Sequence, residues 1–167
     1  MKYLLFICAL CVNLTGIAVS APQKTEIIGL LEGRHWKLDA EAFKSLGDDT
    51  NSVLIEIAGD RASINYLRFR ALEALSLFPS EITAVFLEQT ADKSFAALAR
   101  RGFEALNNGF SKTEPERVKR LAKRLLQHRN AQVRISAARV VRSLDAPSFE
   151  SFIKSEKDSW VRKEAQK

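Results

Sequence analysis

Residues 130–144 read NAQVRISAARVVRSL, and the spacing inside that stretch decides how the chain folds. Val133, Ala137, Val140, Val141 and Leu144 fall at offsets 0, +4, +7, +8 and +11. At 3.6 residues per turn these positions share one face. The stretch therefore predicts a helix with an apolar stripe and three arginines, Arg134, Arg139 and Arg142, beside it.

The same template recurs. Leu67, Ala71, Ala74, Leu75 and Phe78 occupy those offsets in LRFRALEALSLF, and Leu98, Gly102, Ala105 and Leu106 occupy four of them in LARRGFEAL. Val161 and Ala165 begin another copy in VRKEA. The intervals between copies are 31, 35 and 28 residues. Repetition at this period predicts stacked supersecondary units, each covering its neighbour's apolar face. The small residue at +4 (Ala71, Gly102, Ala137) predicts a close helix approach that Leu would prevent.

Each copy has a candidate partner helix upstream. SEITAVFLEQT (80–90) offers Ile82, Val85 and Phe86 on one face, with Ser80 as N-cap. EPERVKRLAKRLLQH (114–128) offers Val118, Leu121, Ala122, Leu125 and Leu126. It opens with Thr113 and Glu116 at capping-box spacing and with Pro115 in the first turn. APSFESFIKSE (146–156) offers Phe149, Phe152 and Ile153 behind Asp145. TNSVLIEIAG (50–59) fits the same place for the first copy, although its β-branched content also suits a strand. Helices are further expected over 25–33 and 38–47. The expected fold is all-α, a right-handed α-solenoid of about three and a half helical hairpins over residues 49–167, preceded by a helical extension over 21–48.

The LR..A..AL and VR..A..VV cores resemble HEAT repeats, particularly the short bacterial HEAT-like kind, from roughly residue 50 to 167. The resemblance implies a ladder in which the arginine after the first apolar residue pairs with a nearby Asp or Asn. Asp158 with Arg162, Asn130 with Arg134 and Asn65 with Arg68 match that pattern, whereas Ala99 stands in the arginine's place in the second copy. Such a motif identifies architecture and says little about activity.

The first 20 residues have a lysine at position 2, an apolar run from Tyr3 to Val12 and a small-residue end with Ala18 and Ser20 at −3 and −1. They are expected to be a cleaved export signal, which places the protein in the periplasm or outside the cell. Both cysteines, Cys8 and Cys11, lie within that segment, so thiol chemistry and disulfides are not expected in the mature chain.

No catalytic constellation stands out. His35 and His128 are far apart and lack paired ligands at metal spacing, while Asp48, Asp49 and Asp60 sit at expected turns. There is no Gly-rich phosphate loop and no GxSxG elbow. The reading is a non-catalytic module without a cofactor or metal.

Charge carries the sharper signal. Residues 22–93 hold eight basic and twelve acidic side chains, net −4; residues 94–167 hold seventeen basic and eight acidic, net +9. Arg117, Arg120 and Arg124 form a ridge at i, i+3 and i+7, with Lys119 and Lys123 on another flank, and Arg139 and Arg142 point away from the apolar face of the next helix. Arg117, Arg120, Lys123, Arg124, Arg139 and Arg142 are the candidate binding residues, and an acidic protein surface is the expected partner. Anionic lipid or envelope polymer is the alternative. Export and the lack of aromatics interleaved with the cations argue against nucleic acid. Membrane contact is expected only through the signal segment or weakly with anionic surfaces. The phenylalanines from Phe69 to Phe152, together with Trp36 and Trp160, are expected in the core.

Overall fold

The computed structural model describes residues 24–167. The expected export signal lies outside the described residues. Within them the protein is all-α: ten helices and no strand. The helices are α1 (Lys24–Leu31), α2 (Ala40–Ser45), α3 (Thr50–Gly59), α4 (Asn65–Leu75), α5 (Glu81–Lys93), α6 (Ala96–Phe110), α7 (Pro115–Leu125), α8 (Ala131–Leu144), α9 (Ala146–Ser155) and α10 (Ser159–Ala165).

Helices α3/α4, α5/α6 and α7/α8 pack as consecutive hairpins. Second helices touch in chain order: α4 lies on α6, α6 on α8, and α8 on α10. α1 packs on α2, α3 and α4. Every substantial pairing joins helices no more than three places apart in the chain.

The repeated apolar positions supply the contacts. Leu67, Ala71, Leu98, Gly102, Val133, Ala137, Val161 and Ala165 are all buried. Gly102 shows why a small residue is required. A Cβ placed there would sit 3.0 Å from Thr90 Cγ2 and 3.2 Å from the Leu87 carbonyl of the facing helix. The possible strand at 50–59 is helix α3, because Leu54, Ile57 and Ala58 at i, i+3 and i+4 bury against neighbouring helices. Tertiary packing outweighs the modest β preference of Val53, Ile55 and Ile57.

The apolar face expected on α5 is corrected. Ile82 and Val85 are 59% and 38% exposed, and the helix buries Thr83, Ala84, Leu87, Thr90 and Ala91 instead. The close approach of α6 at Gly102 admits small side chains and turns the larger ones outward. The helix still starts at Ser80, whose Oγ accepts from the Thr83 amide at 3.3 Å.

At α7 the capping box is absent. Glu114 is the N-cap, without a side-chain cap bond, and Pro115 is in the first turn. Glu114 N–H donates back to Phe110 O at 2.7 Å, and its carboxylate turns to Arg117 at 2.9 Å.

The arginine ladder implied by the HEAT resemblance takes a different form. Asn130 and Asp158 cap α8 and α10 by accepting from backbone amides. The arginines instead reach the end of the preceding helix. Arg68 donates to Ala58 O at 3.0 Å, Arg134 to His128 O at 2.9 Å, and Arg162 to Glu156 O. These carbonyls lie where a helix runs out of intrahelical partners and its dipole is negative, which favours a guanidinium. Arg134 also meets Glu156 side-on at 2.7 and 3.2 Å. The pair is well buried, with the Arg134 and Glu156 side chains 16% and 8% exposed.

The aromatic residues divide. Phe103, Phe110 and Phe152 are buried, Phe69, Phe78, Phe86 and Phe149 are half-buried, and Phe95 is 46% exposed. Trp36 is half-buried, donates to Leu30 O at 2.8 Å and lies under Arg70. Trp160 is 44% exposed, against expectation: Val161 and Ala165 take the inward face of α10, and Trp160 is about 100° around the helix from Val161.

Candidate functional site

The basic ridge rests on α7, whose inward face is Val118, Leu121, Ala122 and Leu125. Arg117 and Arg124, seven residues apart, flank that face on the side of α5. Glu81, Glu88 and Asp92 of α5 meet them there. Arg117 holds both Glu81 oxygens at 2.7 and 2.8 Å, with Glu88 at 3.4 Å and Glu114 at 2.9 Å. Only 15% of its side chain is exposed. The bidentate bond holds the Glu81 carboxyl below its ordinary range and raises Arg117 further. Arg124 pairs with Asp92 at 2.8 Å.

The remaining candidates also meet neighbours, with one exception. Lys123 reaches Asp145 at 2.9 Å, and Asp145 also caps α9 by accepting from the Ser148 amide and hydroxyl at 3.1 and 2.9 Å. The Lys123 bond and those two Ser148 bonds push the Asp145 carboxyl down to about 2. Arg139 donates to Glu164 O at 3.0 and 3.2 Å and lies 3.6 Å from its carboxylate. Arg142 reaches Ala165 O at 3.5 Å and stacks over Phe149. Arg120 is exposed, and no partner within the described residues engages it.

The acidic first half and basic second half therefore meet across α5 and α7. That chain-level asymmetry is turned into an internal seam. Exposed pairs of this kind contribute little each, because water screens them. The Arg117 cluster gains more, since one guanidinium already held in place serves three carboxylates.

The outer side of α5 and α7 combines two features. Ile82 and Val85 stand exposed on α5, and Arg120 with the half-open Arg124 stands exposed on α7, which the Glu81–Arg117 and Asp92–Arg124 pairs align with α5. Periodicity alone assigns Ile82 and Val85 to the core, so the spacing carries no warning of this stripe. The one signal in the sequence is the set of small residues Ala84, Thr90 and Ala91, which suit a tight contact.

Several clefts lie elsewhere. One, of about 320 Å³, lies where Leu126 to Arg129 meet Phe152 to Lys157. In it His128 Nδ1 accepts from the Asn130 amide at 3.0 Å, so the imidazole is committed to the turn. Another, about 240 Å³, is lined by Glu73, Arg101, Glu104 and Asn108 between α4 and α6. Its charges are paired: Arg100 with Glu104 at 2.8 Å and Arg101 with Glu73 at 3.9 Å. Among the described residues no group of three or more His, Cys, Asp or Glu side chains is placed to hold a metal, and no helix is long and apolar enough to cross a membrane. Compared with protein-family models, curated proteins and solved structures, the chain matches none.

Proposed function

We propose that the protein is an exported, HEAT-like repeat module that binds another protein without catalysing a reaction. In this reading the hairpins form a right-handed solenoid, and the chain-order contact of α4, α6, α8 and α10 supports it. Arginines crossing to the ends of preceding helices in three of the four units support it further. Such a stack gives a rigid surface with side chains at fixed spacing.

The partner sits on the outer side of α5 and α7. The observation that carries this is the pair Ile82 and Val85, exposed on α5, together with Arg120 on the aligned α7, the ridge arginine that no partner among the described residues takes. An apolar contact flanked by an arginine fits a partner whose own apolar patch is edged by a carboxylate. Arg117 serves the seam and Arg120 serves the partner.

A photoreactive side chain at position 82 tests this. It should yield one discrete adduct, which Arg120→Glu abolishes while the helical signal in circular dichroism is unchanged. A photoreactive side chain at exposed position 112, on the turn after α6, should give none. Equal adducts at both positions, or an adduct indifferent to Arg120→Glu, would remove the outer side of α5 and α7 from the account.

A further inference from the structure

The turns inside the three hairpins and the turn between α9 and α10 share a pattern that the basic ridge does not. Arg61 follows α3, Lys93 ends α5, Arg129 follows α7 and Lys157 follows α9. Each is exposed, and no partner within the described residues engages any of the four side chains. The acids of the same turns are occupied. Asp60 accepts from the Ala62 amide and the Ser63 hydroxyl, Asp92 holds Arg124, Glu156 holds Arg134, and Asp158 caps α10. Arg124 and Arg134 neutralise Asp92 and Glu156, whereas Asp60 and Asp158 accept only from neutral groups, so the four cations outnumber the two carboxylates left without a countercharge.

These turns lie on one side of the molecule. α5 and α7 are aligned start to start, since Glu81 meets Arg117 and Asp92 meets Arg124. α4 and α6 run alike, with Arg101 near Glu73 and Gly109 against Ser76. Ser136 of α8 meets Glu104 of α6, and Arg139 of α8 meets Glu164 of α10. The last two turns jointly line the 320 Å³ cleft. Packed helices stand about 8–10 Å apart, so the cations recur at about that interval.

Four of the six large apolar side chains exposed in the described residues lie on the same side. Ile64 and Phe95 are 54% and 46% exposed, and Tyr66 and Trp160 are 43% and 44% exposed. All four are at the starts of second helices. Ile64 and Phe95 occupy the N-cap positions that Asn130 and Asp158 fill in the later units, and they forgo the cap bond those residues make. Their carbonyls open the helices as any residue's would, and their apolar side chains add no cap bond.

We propose that this edge rests on an anionic lipid surface. Unpaired cations are drawn to acidic headgroups, and Tyr and Trp settle at headgroup depth with Ile64 and Phe95 entering the acyl boundary. A soluble polyanion would use the charges and leave the aliphatic Ile64 without a role. The inference is independent of the protein-binding stripe, which uses other residues on the outer side of α5 and α7.

Trp160 provides the readout. The full chain with Trp36→Phe keeps Trp160 as its remaining tryptophan. With phosphatidylcholine vesicles containing phosphatidylglycerol and brominated acyl chains, Trp160 emission should be quenched; with phosphatidylcholine alone it should not. Arg61→Glu, Lys93→Glu, Arg129→Glu and Lys157→Glu together should weaken partitioning about a hundredfold or more. If that variant loses its helical signal, Ile64→Ser with Phe95→Ser replaces it and should also reduce quenching. Vesicle binding with Trp160 unquenched would mean that another part of the chain attaches, and would overturn the proposal. Wild-type quenching in the charge-reversed chain would overturn it too, as would tight capture of a single-stranded oligonucleotide without vesicle binding.

Discussion

The second and third hairpins solve one packing problem in two ways. In α7/α8, Arg134 ties the second helix to the turn before it and to Glu156 of the next unit. In α5/α6 the equivalent position is Ala99, which offers no such bond. There the helices close by backbone approach: Gly102 sits against Thr90 and Leu87 O, and Gly109 brings α6 against Ser76 just after α4. A polar tie in one hairpin and a missing side chain in the other thus each hold a second helix against its neighbours. The difference shows that a second helix can be held by a side-chain bond or by close backbone approach.

Breaking the apolar solution should cost most. Gly102→Leu places a side chain where even a Cβ is crowded, and should destabilise by about 3 kcal/mol or more in urea unfolding. Ala137→Leu, at the corresponding position of the third unit, should cost about 1–3 kcal/mol. An unchanged midpoint for both would disprove close approach as the shared requirement.

Breaking the polar solution comes next. Arg134→Met leaves the Glu156 carboxylate, 8% exposed, without its countercharge and with only the Asp158 amide at 3.0 Å. The expected loss is about 2–3 kcal/mol. Arg68→Met removes one carbonyl bond and should lose about 1 kcal/mol. Equal losses would show that Glu156 plays no part in the third unit's stability.

Gly109→Ala sharpens the contrast with a smaller effect. The added Cβ would lie 2.9 Å from Ser76 O. Helix propensity favours alanine by about 1 kcal/mol, and the clash should outweigh it, leaving a net loss of about 1 kcal/mol. A net gain would mean that α4 and α6 can separate freely.

The smallest effect concerns pH. Asp145 has its carboxyl held down to about 2 by Lys123 and Ser148, below the ordinary value of 3.8. A carboxyl lowered on folding stabilises the native state above its unfolded value and loses that contribution as pH falls toward the folded one. Stability should therefore decline between about pH 4 and pH 2, and Asp145→Asn should flatten that part of the curve. Unfolding followed across this range by circular dichroism measures it, and an identical slope in the variant would rule Asp145 out.

Much of the architecture is legible in residue spacing. The repeated offsets in 67–78, 98–106 and 133–144 locate the second helices, and Val118 to Leu126 locate the inner face of α7. The candidate binding residues are less legible. Arg117, Lys123, Arg124, Arg139 and Arg142 read as side chains open to a partner, and the fold brings Glu81, Asp145, Asp92, Glu164 and Ala165 to them from 22 or more residues away. Those partners follow no local spacing rule, because the distance between charges on different helices is set by packing.

Sequence alone determined that helices form, where the second helix of each unit lies, and which residues at +4 must be small, since these depend on a period of 3.6 and on side-chain volume. Tertiary structure decided which face of α5 turns inward, which arginines are spent on neighbours, and which cations and apolar side chains are left at the surface. Rotation about a helix axis and pairing across helices are settled by the neighbouring element, and no residue encodes its neighbour's position by itself.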